Sequence, residues 1–179
     1  MKATNLLNLL KFIKPLTDTK KDTADQLRDY LYITNSKAYK LYRGAIAAII
    51  ELDIDKDLEV AIAPSVMPML TKAIGRPEAT DTVEITSSSI KVAKVSIELP
   101  KREGIFPADI IENGNLVGYA EHALDDDGIA NMLLGCECML RVAKAFDAVK
   151  KGYTVQPLRR GFKFQKDEYT ILLAGTILR

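Results

Sequence analysis

The chain predicts an α+β fold of helices laid on one face of antiparallel sheets. Apolar residues switch between the helical period and the strand period along its 179 residues. Each helical run is followed by several strand runs. The order recurs about three times, at roughly 60-residue intervals, as an internal (β)αβββ repeat carried by pattern rather than by letters.

In the first unit, Leu6, Leu9, Leu10 and Ile13 form one face of a helix with Lys11 and Lys14 on its polar side, and Pro15 stops it. Residues 17–28 are polar and read as a loop. Tyr30, Tyr32 and Thr34 alternate with Leu31 and Ile33. Asn35, Ser36 and Lys37 make a turn. Tyr39, Leu41 and Arg43 alternate with Lys40 and Tyr42. Gly44 permits a bend, and residues 45–54 are apolar enough for a central strand.

The middle unit, residues 57–106, has the cleanest pattern. Residues 58–63 read as a buried strand, and Pro64 opens a new element. Val66, Met69, Leu70 and Ala73 then fall on one helical face, ended by Gly75 and Pro77. Val83 and Ile85 alternate with Glu84 and Thr86, and residues 87–89 are three serines in a turn. In the next run Ile90 and Val92 share one parity, whereas Ala93, Val95, Ile97 and Leu99 share the other. A one-residue slip of that kind predicts a bulge or a bend. Residues 100–107 leave the sheet, with Phe106 as an anchor.

In the last third, residues 116–124 read as a strand, and Asp125, Asp126, Asp127 and Gly128 break it. Residues 131–151 are ambiguous. Cys136, Cys138, Leu140 and Val142 alternate as in a strand. Met139, Val142, Ala143, Phe146 and Val149 fit a helix, and the number of helix formers favours a helix from Met139 onward, closed by Gly152. Three strands follow, over residues 153–158, 162–165 and 169–178, with turns at 159–161 and 166–168. The division that results is 1–112 as a domain of two units and 113–179 as a third unit.

Composition is that of an ordinary globular chain, with 47% hydrophobic and 27% charged residues. The net charge of +1 gives no overall pull toward nucleic acid or membrane. No apolar run approaches the roughly 20 residues that span a bilayer, and the N-terminal stretch, interrupted by Asn5 and Asn8, does not read as a signal peptide. Cys136 and Cys138 are too closely spaced for an ordinary disulfide within one element and have no second pair to complete a zinc site. They read as reduced packing cysteines of a cytoplasmic protein. The three aspartates at 125–127, and Glu121 beside the single histidine His122, offer oxygen and nitrogen ligands. Turn chemistry and a solvated histidine explain them more simply. No phosphate-cradling glycine loop and no nucleophile motif is present, so the expectation is a protein without catalysis, cofactor or metal.

Charge is distributed unevenly. Residues 1–14 hold Lys2, Lys11 and Lys14 and no acid, and residues 64–76 hold Lys72 and Arg76 and no acid. Residues 139–152 hold Arg141, Lys144, Lys150 and Lys151 against Asp147. A positive helical layer over a negative remainder suits phosphates, which bind through counterion release. Lysine near a helix C-terminus also suits the helix dipole, which leaves a second explanation open.

This arrangement resembles the DNA sliding clamps, in particular the bacterial polymerase processivity clamp. The resemblance lies in residues 58–75, a strand entering a short helix, and in their exit through Leu99-Pro100 and Phe106-Pro107. It lies also in residues 153–179, which are similar to a clamp's closing strands. It implies βαβββ units whose helices line a channel and whose sheets form the wall. It implies contact with duplex DNA through phosphates, by Lys11, Lys14, Lys72, Arg76, Arg141, Lys144 and Lys151, without base reading. Further implications are a DNA polymerase or other replication protein as partner, no membrane, and a homo-oligomer. A bacterial clamp has six units and this chain about three, so a twelve-unit ring would take four chains, as in a reduced clamp of a phage or mobile element. The clamp tail carries methionine and proline near its last leucine. Here Gly175, Thr176, Ile177, Leu178 and Arg179 stand instead, with Ile177 and Leu178 as the partner-binding residues the resemblance implies. The competing reading is a protein-interaction scaffold that has lost DNA encirclement, with Tyr30, Tyr32, Tyr39 and Tyr42 as its contact surface. Strand propensity also accounts for those tyrosines.

Overall fold

The first helix, α1 (Ala3–Ile13), forms where the apolar spacing predicts it and buries Leu6, Leu9, Leu10 and Ile13 together with Ala3, Leu7 and Phe12. Pro15 does not end the chain's winding. It sits in a single 3-10 turn, Lys14–Leu16, that continues the helix and buries Leu16. The computed structural model describes residues 1–17, 30–34, 36–42, 46–54, 58–99, 132–133, 136–158, 161–174 and 176–177. The loop expected at 17–28, the anchor Phe106, the strand expected at 116–124, and the Glu121, His122 and Asp125–Asp127 groups lie outside the described residues, save Thr17.

Three strands follow α1 as expected: β1 (Leu31–Thr34), β2 (Lys37–Tyr42) and β3 (Ile46–Glu51). The second unit contributes β4 (Val60–Ile62), helix α2 (Val66–Ile74), β5 (Val83–Ile85), β6 (Ser89–Val92) and β7 (Val95–Glu98). The third contributes β8 (Met132–Leu133), helix α3 (Cys136–Ala148), β9 (Thr154–Leu158), β10 (Gly161–Lys166), β11 (Tyr169–Ala174) and β12 (Thr176–Ile177). The helical reading of the ambiguous segment holds. The helix begins three residues before Met139 and takes both cysteines into its first turn.

Three details depart from expectation. The parity slip after Val92 is a hairpin turn, not a bulge. Val92 pairs with Val95 and Ile90 with Ile97, so Ala93 and Lys94 are the turn, and Ala93 takes φ 51°. The buried face of α2 is Val66, Met67, Leu70 and Ile74, with Met69 56% exposed. The two candidate stripes share Val66 and Leu70. The one that buries Ile74 removes more apolar surface from water than the one that buries Ala73. Gly152 does not close α3. Lys150 takes the left-handed position at φ 55°, and the Lys151 N–H donates back to the Phe146 carbonyl at 3.1 Å.

All the principal strand pairings are antiparallel. One sheet runs β4-β1-β2-β3-β11-β10-β9, a second runs β5-β6-β7, and β12 pairs with β8. The first two units exchange strands. β4, which precedes α2, lies beside β1 of the first unit. The residues preceding α1 lie beside β5 of the second. Lys2 bridges Thr82, and the Val83 N–H donates to the Met1 carbonyl at 2.8 Å. The third unit joins through β3 and β11, with Ala48 opposite Ile171. Close approach at the neighbouring hairpin demands glycine at 161, where a Cβ would stand 2.0 Å from the Leu173 carbonyl oxygen.

The core lies between the sheets and the helices, with α1 packed against both α2 and α3. Its centre is aromatic. Phe12 of α1 meets Phe146 of α3 edge-on at 5.2 Å and Tyr169 of β11 at 4.5 Å. The other face of the large sheet is buried as well, around Tyr32, Tyr39, Leu41, Ala47, Leu158 and Leu172. Three of the four tyrosines considered as a contact surface are therefore interior: Tyr32, Tyr39 and Tyr42 are at most 2% exposed. Strand propensity and packing explain them. Phe12→Ala is expected to destabilise the chain by about 3–5 kcal/mol in urea unfolding. A loss below about 1 kcal/mol would mean that the junction of α1, α3 and β11 is not centred on this ring.

Candidate nucleic-acid interface

The exposed positions of α1 are Asn5, Asn8 and Lys11, followed by Lys14 in the 3-10 turn. They recur every three residues, a ridge that turns about 60° around the axis at each step, so Asn8 and Lys11 stand at the middle of the exposed face and Asn5 and Lys14 at its two edges. The helix contains no acid. The exposed positions of α2 are Pro68, Met69, Thr71 and Lys72, and Arg76 follows just past its end. The Thr71 hydroxyl donates back to the Met67 carbonyl at 2.9 Å. Those of α3 include Leu140, Ala143, Lys144 and Asp147. Among the described residues, the side chains of Lys11, Lys14, Lys72, Arg76 and Lys144 make no ion pair.

Arg141 and Lys151 are placed differently. The Arg141 guanidinium donates to the Pro15 carbonyl and to Glu137 Oε1, from Nε at 3.1 Å and from Nη2 at 2.9 Å. It also lies 4.2 Å from the centre of the Tyr42 ring. The Tyr42 hydroxyl donates to the same Glu137 oxygen at 3.0 Å. This cluster fastens the start of α3 to the end of α1 and to β2. Lys151 donates to Asp167 at 2.9 Å and to Glu168 at 3.2 Å, and stands 5.1 Å from the Tyr169 ring centre. It ties the end of α3 to the β10–β11 turn.

The observed boundaries change the charge count. α3 carries Arg141 and Lys144 against Glu137 and Asp147 and is balanced. Within their bounds α1 keeps Lys11 and α2 keeps Lys72. The remaining excess lies just outside the helices, at Lys2, Lys14, Arg76, Lys150 and Lys151. All but Lys2 follow a C-terminus, where a cation also suits the dipole.

Counting charges alone passes over Asn5 and Asn8. Their three-residue spacing with Lys11 and Lys14 was the signal available. Ile177 lies in β12 opposite Met132, and Leu178 lies outside the described residues. Cys136 is exposed and Cys138 half-buried, so packing accounts for the second alone. Among the described residues no group of three His, Cys, Asp or Glu side chains is placed to hold a metal, and no helix is long and apolar enough to cross a membrane. A shallow groove is lined by Met1, Ile54, Leu58, Thr82, Val83, Glu84 and Ile85, away from these cations.

The Lys151 pair has a pH signature. The hydrogen bond from Lys151 holds the Asp167 carboxyl below its ordinary value. The hydrogen bond to Asp167, opposed by partial burial and helped by Glu168, raises the Lys151 amine. The Asp167 contribution to stability is present above the ordinary carboxylate pKa and is lost as pH falls through the depressed one. The Lys151 contribution is present below the ordinary lysine pKa and is lost as pH rises through the raised one. In Lys151→Ala, the Asp167 carboxyl is expected to titrate higher than in the parent when followed by carboxyl-carbon NMR. An unchanged titration would remove this pairing from the folded state.

No family model and no curated protein matches the sequence. Solved structures do match. The DNA polymerase III beta subunit of Thermotoga maritima aligns with 100% of this chain at a TM-score of 0.62 and 10% identity, and the chain covers 64% of it. The DNA polymerase sliding clamp of Bacillus subtilis aligns with 100% of this chain at a TM-score of 0.59 and 14% identity, and again 64% of it is covered. The chain thus spans less than two thirds of the length of these proteins. At such identities it is the architecture that is shared: paired βαβββ units, helices packed in one layer, and antiparallel sheets joined edge to edge. The chain has the fold of the bacterial DNA polymerase III beta sliding clamps.

Proposed function

We propose that the chain is a divergent sliding-clamp-like protein that holds duplex DNA by its phosphates, without reading bases and without catalysis. The observation that carries this reading is the set of five exposed cations on or just after the three helices, none of them ion-paired among the described residues, in a clamp fold. Such cations release counterions on binding phosphate and impose no sequence preference. Lys11, Lys14, Lys72, Arg76 and Lys144 are the direct phosphate ligands in this proposal. Arg141 and Lys151 belong to the same face and act first by fixing α3, since both already hold protein partners.

The partner proteins in this reading are a DNA polymerase or another replication protein, met in the cytoplasm, with Ile177 and Leu178 as contacts near the tail. A homo-oligomer belongs to the same reading. The division of the chain at residue 112 into a two-unit domain and a third unit belongs to the same reading, and that boundary lies outside the described residues. A second reading, a clamp-like scaffold that no longer holds DNA, is favoured by one observation: the balanced charge of α3.

Duplex binding separates the two. The proposed function expects weak, sequence-independent affinity for a mixed-sequence duplex at low salt, falling steeply as salt rises. Replacing Lys11, Lys14, Lys72 and Lys144 together with glutamate is expected to abolish it. Absence of binding by the parent at low salt favours the scaffold. Binding that survives all four reversals places the DNA on another face.

A further inference from the structure

The three helices do not offer equal surfaces to a polyanion. The exposed face of α3 carries Asp147, and at its start Glu137 is shared between Arg141 and Tyr42. The exposed face of α2 carries Met69 and Pro68, and its one exposed hydroxyl, Thr71, is spent on its own backbone. α1, like α2, holds no acid, but where the exposed face of α2 offers one cation, Lys72, the ridge of α1 presents amide, amide, ammonium, ammonium.

Asn8 stands in the interior of α1 and is exposed. Helix stability would favour alanine, lysine or glutamate there, since asparagine is a weaker helix former and competes for backbone hydrogen bonds. Neither the Asn5 nor the Asn8 amide has a hydrogen-bond partner among the described residues. The ridge therefore presents two short neutral donors and two long cationic ones over about 14 Å of helix. Short amides reach an oxygen only when the helix backbone comes close to it, and a helix free of acid allows that approach.

Resting on the duplex-binding reading above, we propose that the ridge Asn5–Asn8–Lys11–Lys14 is the chain's principal duplex contact. In it the two asparagine amides donate hydrogen bonds to phosphate oxygens, and the two lysines supply the ionic attraction. The amides fix how close α1 sits to the backbone, and the lysines set how binding depends on salt.

Equilibrium binding of the full chain to a mixed-sequence duplex, measured over a range of salt concentrations, tests this division of labour. Asn5→Ala with Asn8→Ala is expected to weaken binding at least about tenfold at every salt concentration, the loss of two hydrogen bonds from uncharged amides to phosphate oxygens. The slope of log affinity against log salt should not change. The same variant is expected to melt at the same or a higher temperature, because alanine is the better helix former. Lys11→Ala with Lys14→Ala is expected to weaken binding and to flatten the slope by about 2. Parent binding that depends on the lysines but ignores both asparagines overturns this proposal and leaves the duplex-binding reading standing. An asparagine variant that changes the slope as the lysine variant does also overturns it. No binding by the parent overturns both.

Discussion

One aromatic cluster fixes the first helix, the third helix and the large sheet relative to one another. Phe12, Phe146 and Tyr169 come from the first helix, the third helix and the strand that closes the large sheet, and their rings meet at 4.5 and 5.2 Å. Tyr153, 4.7 Å from Phe146, and Phe164, 5.6 Å from Tyr153, extend the contact. Aromatic rings bury large areas and prefer edge-on or tilted approaches, so such a cluster specifies both distance and angle between the elements that carry it. The position of α3 relative to α1 follows from it, and the Arg141–Glu137–Tyr42 cluster holds the same pair of helices at the other end of the contact. Burial raises the pKa of the Tyr169 hydroxyl well above its ordinary value.

Much of the fold was legible because the elements obey strong local rules. Leu6, Leu9, Leu10 and Ile13 read plainly as a helix face, and the three strands after the first and third helices kept a readable period. The departures come from places where tertiary context outweighs local chemistry. A hairpin turn usually announces itself with glycine, asparagine or aspartate. Ala93 and Lys94 contain none, and alanine takes a left-handed conformation that side chains disfavour. The turn at Asp167, which has the expected chemistry, was legible for the same reason that the Ala93 turn was not. The face of α2 was misjudged because two stripes shared half of their members. The pairing of β3 with β11 joins residues that no local pattern connects.

The candidate interface was legible only as composition. Charge counts along the sequence find the lysines but cannot separate a cation that faces solvent from one that holds the protein together. Arg141 and Lys151 turned out to be fasteners, and the true start of α3 added Glu137 to its charge. Five of the seven cations keep no ion pair among the described residues, and two of these lie on or just after α1, a helix that also exposes Asn5 and Asn8. Its amide groups carry no charge and so escape any count of charges. Buried Lys40, 1% exposed on the side of β2 that also carries Ala38 and Tyr42, is a further case in which a cation is structural.

The seam between β3 and β11 also bears on how the protein is made. Ile50 finds its neighbour Tyr169 roughly 120 residues later in the chain. Until that strand has left the ribosome, β3 has an open backbone edge and an apolar flank formed by Ile46, Ala48 and Ile50. A nascent chain in that condition is a target for mispairing with its neighbours and for capture by chaperones. Completion of the large sheet is therefore a late event, so a ribosome that stalls before β11 releases a sticky half-sheet rather than a smaller working protein.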